Sequence, residues 1–121
     1  MLKSRVVTAI GILALSQVTL GASFTGTFAI QQIVTDGARY SGCMIRVTPA
    51  PETVFAGCKI GFVSLGCDGT LGITKSAASN LLSAAQLALV TDRSVVLRIN
   101  DEDAPTSPRG YCLADRVDVI K

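Results

Sequence analysis

The residues of this chain best suited to chemistry are four cysteines, Cys43, Cys58, Cys67 and Cys112, and they stand in a sequence without histidine. The absence of histidine excludes His-based triads, Cys–His dyads and the usual catalytic zinc sites within one subunit. The cysteines are not spaced as CxxC, so a redox or metal cluster is disfavoured. The run Asp101, Glu102, Asp103 lacks the spaced ligands of a calcium loop and has no isolated carboxylate beside it to form an acid–base pair. It reads as a solvated turn. No catalytic residue, metal or cofactor is expected, and the chain is read as a non-enzyme. The remaining chemistry is recognition. Arg109 and Tyr111, with Asp101 and Asp103 before them, offer a hydrogen-bonding fork, an aromatic platform and acceptors, which sugars and peptides use. Tyr40 and Arg46 offer the same pair of groups. Tyrosines of this kind also serve as half-buried rim residues, and that use needs no ligand.

The compartment follows from the first residues. Lys3 and Arg5 make a basic start, Val6 to Leu20 is an apolar run, and Gly21, Ala22 and Ser23 are small. This is the layout of a secretory signal peptide over 1–22, with cleavage expected after Ala22 and a run too short for a membrane span. The product is expected in the periplasm or outside the cell, where an even number of cysteines forms two disulfides. The whole chain carries eleven basic and nine acidic residues. Without Lys3 and Arg5 the balance is nine against nine. A neutral domain with two tyrosines and no tryptophan lacks the basic groove and stacking platforms of nucleic-acid binders.

The elements that must position these residues lie in 23–121, enough for one small domain that benefits from covalent staples. Phe24 to Thr35 alternates through Phe28 and Ile30, with Gly26 as a bulge or close approach, and loses phase near Gln31 to Val34. Asp36-Gly37 signals a hairpin turn. Tyr40 to Thr48 is the return strand, ended by Pro49 and Pro51, with Phe55 in the following loop folding inward. Cys58 to Cys67 is a third strand. Lys75 to Asp92 is the one helical stretch, with Thr74 or Ser76 as N-cap and apolar rows on more than one side. Ser94 to Asn100 and Tyr111 to Ile120 are the last two strands. They flank a Pro-containing acidic loop.

The order β-β-β-α-β-β predicts a mainly β domain with one helix, a five-stranded OB-fold-like barrel. An open α+β sheet is the alternative. Closure is favoured because it removes exposed edges. Strand directions in such a barrel bring Cys43 to Cys67 across an antiparallel hairpin and Cys58 to Cys112 across a parallel pair, although sequence alone admits three connectivities.

The segments VSLGCDG, SAAQLALVT and GYCLADRVDV resemble a family of small, uncharacterised exported bacterial proteins. Tyr40 to Ile45, Cys67, Ser83 to Ile99 and the proline-containing loop are similar to the binding subunits of pentameric bacterial toxins, such as those of subtilase cytotoxin and pertussis toxin. That second resemblance implies an exported, self-associating binding module with a glycan or protein ligand. It also implies that the helix lines a ring. The apolar rows of the helix, wider than a barrel end can cover, make Leu81, Leu87 and Leu89 candidate interface residues, unless the Pro49 to Gly57 loop with Phe55 folds over that side. The competing expectation is a structural or inhibitory exported protein without a small-molecule ligand.

Overall fold

The computed structural model describes residues 23–58, 61–101 and 111–121. The expected signal peptide, and with it Asp103 and Arg109, lies outside the described residues. The elements are β1 (Ser23–Thr35), a 3-10 turn (Tyr40–Gly42), β2 (Cys43–Thr48), α1 (Pro51–Val54), β3 (Phe62–Ser64), α2 (Lys75–Thr91), β4 (Ser94–Asn100) and β5 (Cys112–Val119). The molecule is mainly β with one long helix. The five strands form a sheet that closes on itself in the order β1-β2-β3-β5-β4, so the open sheet is not what forms. All neighbours are antiparallel except β3 and β5, which run parallel.

Closure depends on two irregularities that are visible as breaks in the hydrophobic phase. In β1 the inward residues Phe28 and Ile30 are followed by Ile33, and the register with β2 shifts between Ile30 and Gln32. In β5 Cys112 and Ala114 point inward and then Val117 and Val119 do, with the register against β4 shifting between Arg98 and Ile99. Each extra residue bends its strand and increases the local twist, which a short sheet needs to meet its own far edge. The shift in β5 also sets Arg98 opposite Arg116. Asp115 takes Arg98 at 2.8 Å and Asp118 takes Arg116 at 2.7 Å, which offsets the like charges on an exposed surface.

The enclosed core is apolar. Ile45, Val63, Leu65, Val95, Leu97, Ile99 and Cys112 have no exposed surface, and each large aliphatic buried this way contributes about 1.5–3 kcal/mol. Gly26 leaves room for Phe24, whose ring lies where a side chain would stand: a Cβ on Gly26 would sit 2.6 Å from Phe24 Cε2. Phe55, the residue after α1, stacks on Phe24 with ring centroids 6.4 Å apart, and Phe24 meets Phe28 edge-on. The loop after β2 therefore folds inward as a lid on the Phe24 end of the core.

Helix α2 begins where Thr74 Oγ1 accepts from the Ala77 amide at 3.1 Å. It ends at Asp92, a left-handed residue whose amide turns back to the last carbonyls, while the Arg93 amide bonds Ala88 O at 2.9 Å. Its buried row is Ala78, Ala85 and Ala88, with Leu81 and Leu82 packed beside them on the core. Small residues in the contact row bring the helix axis close to the sheet. Leu81 is thus a packing residue. Leu87, Leu89 and Val90 face outward, at 56, 38 and 83 % exposure.

Two expected boundaries move. The third strand does not span Cys58 to Cys67; only Phe62–Ser64 pairs, because Gly61 and Gly66 on either side adopt positive φ and turn the chain out of the ladder. The second strand starts at Cys43 and not at Tyr40. Asp36 Oδ1 accepts from the amides of both Ala38 and Arg39, which lengthens the Asp36-Gly37 turn into a connection over 36–42.

Candidate functional site

On β2, β3 and β5, and at Tyr111 just before β5, the side chains that point away from the core are not all wet. Met44, Ser64, Tyr111 and Leu113 are at most 5 % exposed, and none belongs to the central cluster. The chain from Gly66 to Ile73 folds over this outer face. A Cβ on Gly66 would stand 3.3 Å from Leu113 Cδ1 and 3.6 Å from Leu71 Cβ, and Leu71 is itself buried. A second, smaller apolar layer therefore backs the outer surface of these three strands.

An aromatic cluster borders this layer. Tyr111 lies just before β5, and Phe62 at the start of β3 meets it edge-on at 6.3 Å; Tyr40 from the 3-10 turn meets it at 6.4 Å. The Arg39 guanidinium lies over the Tyr40 ring, 5.7 Å from its centroid. Arg46 is the ladder partner of Phe62 and shares its outward face, with Gln32 of β1 on its other side. Arg46 and Gln32 are exposed, and Tyr40 and Phe62 are half-buried. Tyr111 is only 5 % exposed, so it supports the other two rings and offers little surface of its own.

The turn that presents Tyr40 is unusual. Tyr40, Ser41 and Gly42 all have positive φ, at 59°, 53° and 92°. For the two residues that carry a Cβ, this conformation costs about 1–2 kcal/mol each. Backbone bonds that hold it include Asp36 N to Gly42 O at 3.0 Å, Gly42 N to Arg39 O at 3.0 Å, and Asp68 N to Ser41 O at 2.9 Å. The disulfide Cys43–Cys67, with Cα atoms 5.5 Å apart, ties the residue after the turn to the residue before Asp68. Backbone strain held by such surroundings concentrates at functional sites.

Beside the turn is an open groove of about 410 Å³ lined by Thr35, Asp36, Gly37, Gly42, Cys67, Asp68 and Lys75. Its two carboxylates are held ionised. The Ala38 amide, and then Arg39, keep Asp36 below the ordinary aspartate value; Thr70, through its hydroxyl and amide, does the same for Asp68, with a further contribution from Lys75. Arg39 closes an ion pair with Asp36 at 3.1 Å. Both carboxylates are thus already used in shaping loops.

Of the residues singled out in the sequence, Tyr40, Arg46 and Tyr111 converge on one face. Asp101 lies at the end of β4 against Gly57, where any Cβ would collide with its carboxylate. Asp103 and Arg109 are outside the described residues. Phe62 and Arg39 were not singled out. Phe62 is an aromatic on the outward phase of a strand whose next residue, Val63, is fully buried, and that alternation was the available signal. The second disulfide, Cys58–Cys112 with Cα atoms 5.0 Å apart, sits beside the cluster. Cys112 pairs in the ladder with Val63, so Cys58 reaches it from the loop before β3.

Among the described residues no group of three His, Cys, Asp or Glu side chains could hold a metal ion, and no helix is long and apolar enough to cross a membrane. Comparison with family models, curated proteins and solved structures finds no match.

Proposed function

We propose that this protein is an exported, non-enzymatic binding module of the OB-fold type, and that its ligand face is the part of the outer surface of β2 and β3 left open at Arg46 and Phe62, together with the 36–42 connection. The observation that carries this reading is the convergence of Tyr40, Phe62 and Tyr111 with Arg39 and Arg46 around one patch. The strand order supports the fold reading. In OB-folds the strand 2–3 face, with the loops between strands 1 and 2 and between strands 4 and 5, binds oligonucleotides and oligosaccharides, and the neutral charge of the mature chain favours the latter. Half-buried aromatic edges flanked by guanidinium groups suit a glycan or a protein segment, in keeping with the resemblance to toxin binding subunits.

A glycan array probed with the oxidised protein tests this, followed by amide chemical-shift mapping with any hit. Shifts are expected at 36–46 and 62–64, and Arg46→Ala or Tyr40→Ala should each weaken binding about tenfold, equivalent to about 1.4 kcal/mol. Binding that survives both substitutions unchanged would place the ligand elsewhere.

A second reading, a structural module that acts through protein contact, is favoured by one observation: the outward Leu87, Leu89 and Val90 of α2. On this reading α2 carries the contact to another copy or to a partner.

A further inference from the structure

The two disulfides occupy different environments. Cys58 and Cys112 are 2 and 0 % exposed and Cys43 is 0 % exposed, whereas Cys67 is partly exposed and lines the open groove between Gly42 and Asp68. Three features around Cys67 depend on its staying in place. The Asp68 amide, one residue on, holds Ser41 O. Gly42 packs so tightly on Cys67 that a Cβ there would lie 3.1 Å from the Cys67 Cβ. Cys67 is covalently joined to Cys43, the residue that follows the three positive-φ positions. The left-handed turn and the sulfur bridge are thus one assembly, and Cys67, which also packs against the core, is the partly exposed residue of that bridge.

From this we infer that Cys43–Cys67 is a reducible latch on the Tyr40-bearing turn, while Cys58–Cys112 is a permanent staple. The reductant is a dithiol. One of its thiolates attacks Cys67 Sγ from the groove, the Cys43–Cys67 bond breaks, and Cys43 leaves as a thiolate and takes up a proton. The second thiol of the reductant then displaces Cys67 from the mixed disulfide. Cys67 is protonated and the reductant departs as its own cyclic disulfide. Two electrons and two protons pass to the protein. With the bridge open, nothing covalent opposes relaxation of Tyr40 and Ser41 toward ordinary backbone angles, and Tyr40 moves off Tyr111. Cys43 stays in the core as a buried thiol, and the rest of the core and Cys58–Cys112 persist. The inference deepens the proposed ligand face into one gated by oxidation state, and it rests on that reading only for what the face binds.

Dithiothreitol is the probe, in limiting amounts on the oxidised chain, with alkylation and peptide mapping at intervals. Cys43 and Cys67 should be labelled about tenfold or more faster than Cys58 and Cys112. The half-reduced protein should keep its far-ultraviolet dichroism while amide shifts change at 36–44 and 65–75. Equal rates, or Cys58–Cys112 opening first, would overturn the assignment, and so would global unfolding when Cys43–Cys67 opens. The double variant Cys43→Ser/Cys67→Ser is the independent check. Folded with a displaced Tyr40 signal, it supports the latch; folded with the Tyr40 signal of the oxidised protein, it refutes it. None of these readouts involves ligand, so a failed glycan array and a failed latch are separate results.

Discussion

The side of the molecule made by β2, β3 and the start of β5 is held together differently from the side made by β1, β4, the rest of β5 and α2. On the second side the ladders are long. β1 pairs with β4 without interruption from Ser23 opposite Asn100 to Ala29 opposite Ser94, and β4 pairs with β5 over nearly its whole length. A capped seventeen-residue helix packs alongside. On the first side, among the described residues, β3 has three paired residues and meets β5 at Val63–Cys112 and Ser64–Leu113. Both disulfides, the left-handed turn and the second apolar layer are found there. Regular pairing and burial suffice where the ladder is long. Where it is short, covalent links and loop packing do that work, and the chain is then free to adopt unusual backbone and to display aromatics outward.

The strongest way to break this contrast is to remove the staples. Cys58–Cys112 spans 54 residues and Cys43–Cys67 spans 24. Loop-closure entropy gives about 4 kcal/mol for the first and about 3.5 kcal/mol for the second. Denaturant unfolding of the paired alanine variants should therefore rank Cys58→Ala/Cys112→Ala as the weaker protein. Its complete burial adds to the loss. If neither pair lowered stability by 1 kcal/mol or more, the ladders would be holding both sides and the comparison would fail.

Gly42→Ala strikes the same side without touching sulfur. The new Cβ would sit 3.1 Å from Cys67 Cβ and 3.2 Å from Asp68 N at a φ of 92°. A loss of about 2 kcal/mol is expected, read as a lower thermal midpoint. The counterpart on the helical side is Asp92→Gly. Asp92 is left-handed at φ 55° and places an anion at a helix C-terminus. Both features are unfavourable, so glycine should raise stability by about 0.5–1 kcal/mol in the same melt.

Acid sharpens the contrast further. Asp36 and Asp68 have depressed values in the folded protein because their carboxylates accept bonds from Ala38 and Thr70 respectively. A depressed carboxylate stabilises the fold above its unfolded value, near 3.8, and that stabilisation is lost as pH falls through the folded value. Amide exchange followed from pH 5 to pH 2 should loosen 36–42 and 68–70 while β1 and β4 remain protected. Simultaneous loss across the molecule would show that these carboxylates shape no separate region.

Leu87→Glu has the smallest expected effect on stability, within about 0.5 kcal/mol, because the side chain is 56 % exposed. Its value lies in light scattering. If α2 is a contact between copies, the substitution lowers the mass. A protein that is already monomeric at high concentration, with its mass unchanged by the substitution, removes α2 as a self-association surface.

Much of the frame is legible in the sequence, because local periodicity reports which face of an element is buried. The alternation of Ser94 to Asn100 matches β4 residue for residue. The lost phase at Gln31 marks the bulge in β1. Of the two N-caps the sequence offers, Thr74 and Ser76, Thr74 caps the helix, and the cysteine positions with strand directions lead to the pairing found. Other features required the folded chain. The glycines at 61 and 66 shorten β3 only because the flanking chain needs left-handed corners there. The extra residue in β5, at Asp115, has no local signature. Tyr40 and Tyr111 are far apart in sequence, and neither shows by itself that it meets the other over Phe62. Nor does the helix pattern tell Leu81, packed on the core, from Leu87, facing water. A sequence determines one face of each element through spacing alone. What covers the opposite face depends on where distant segments return, and only the closed sheet and its two sulfur bridges decide that.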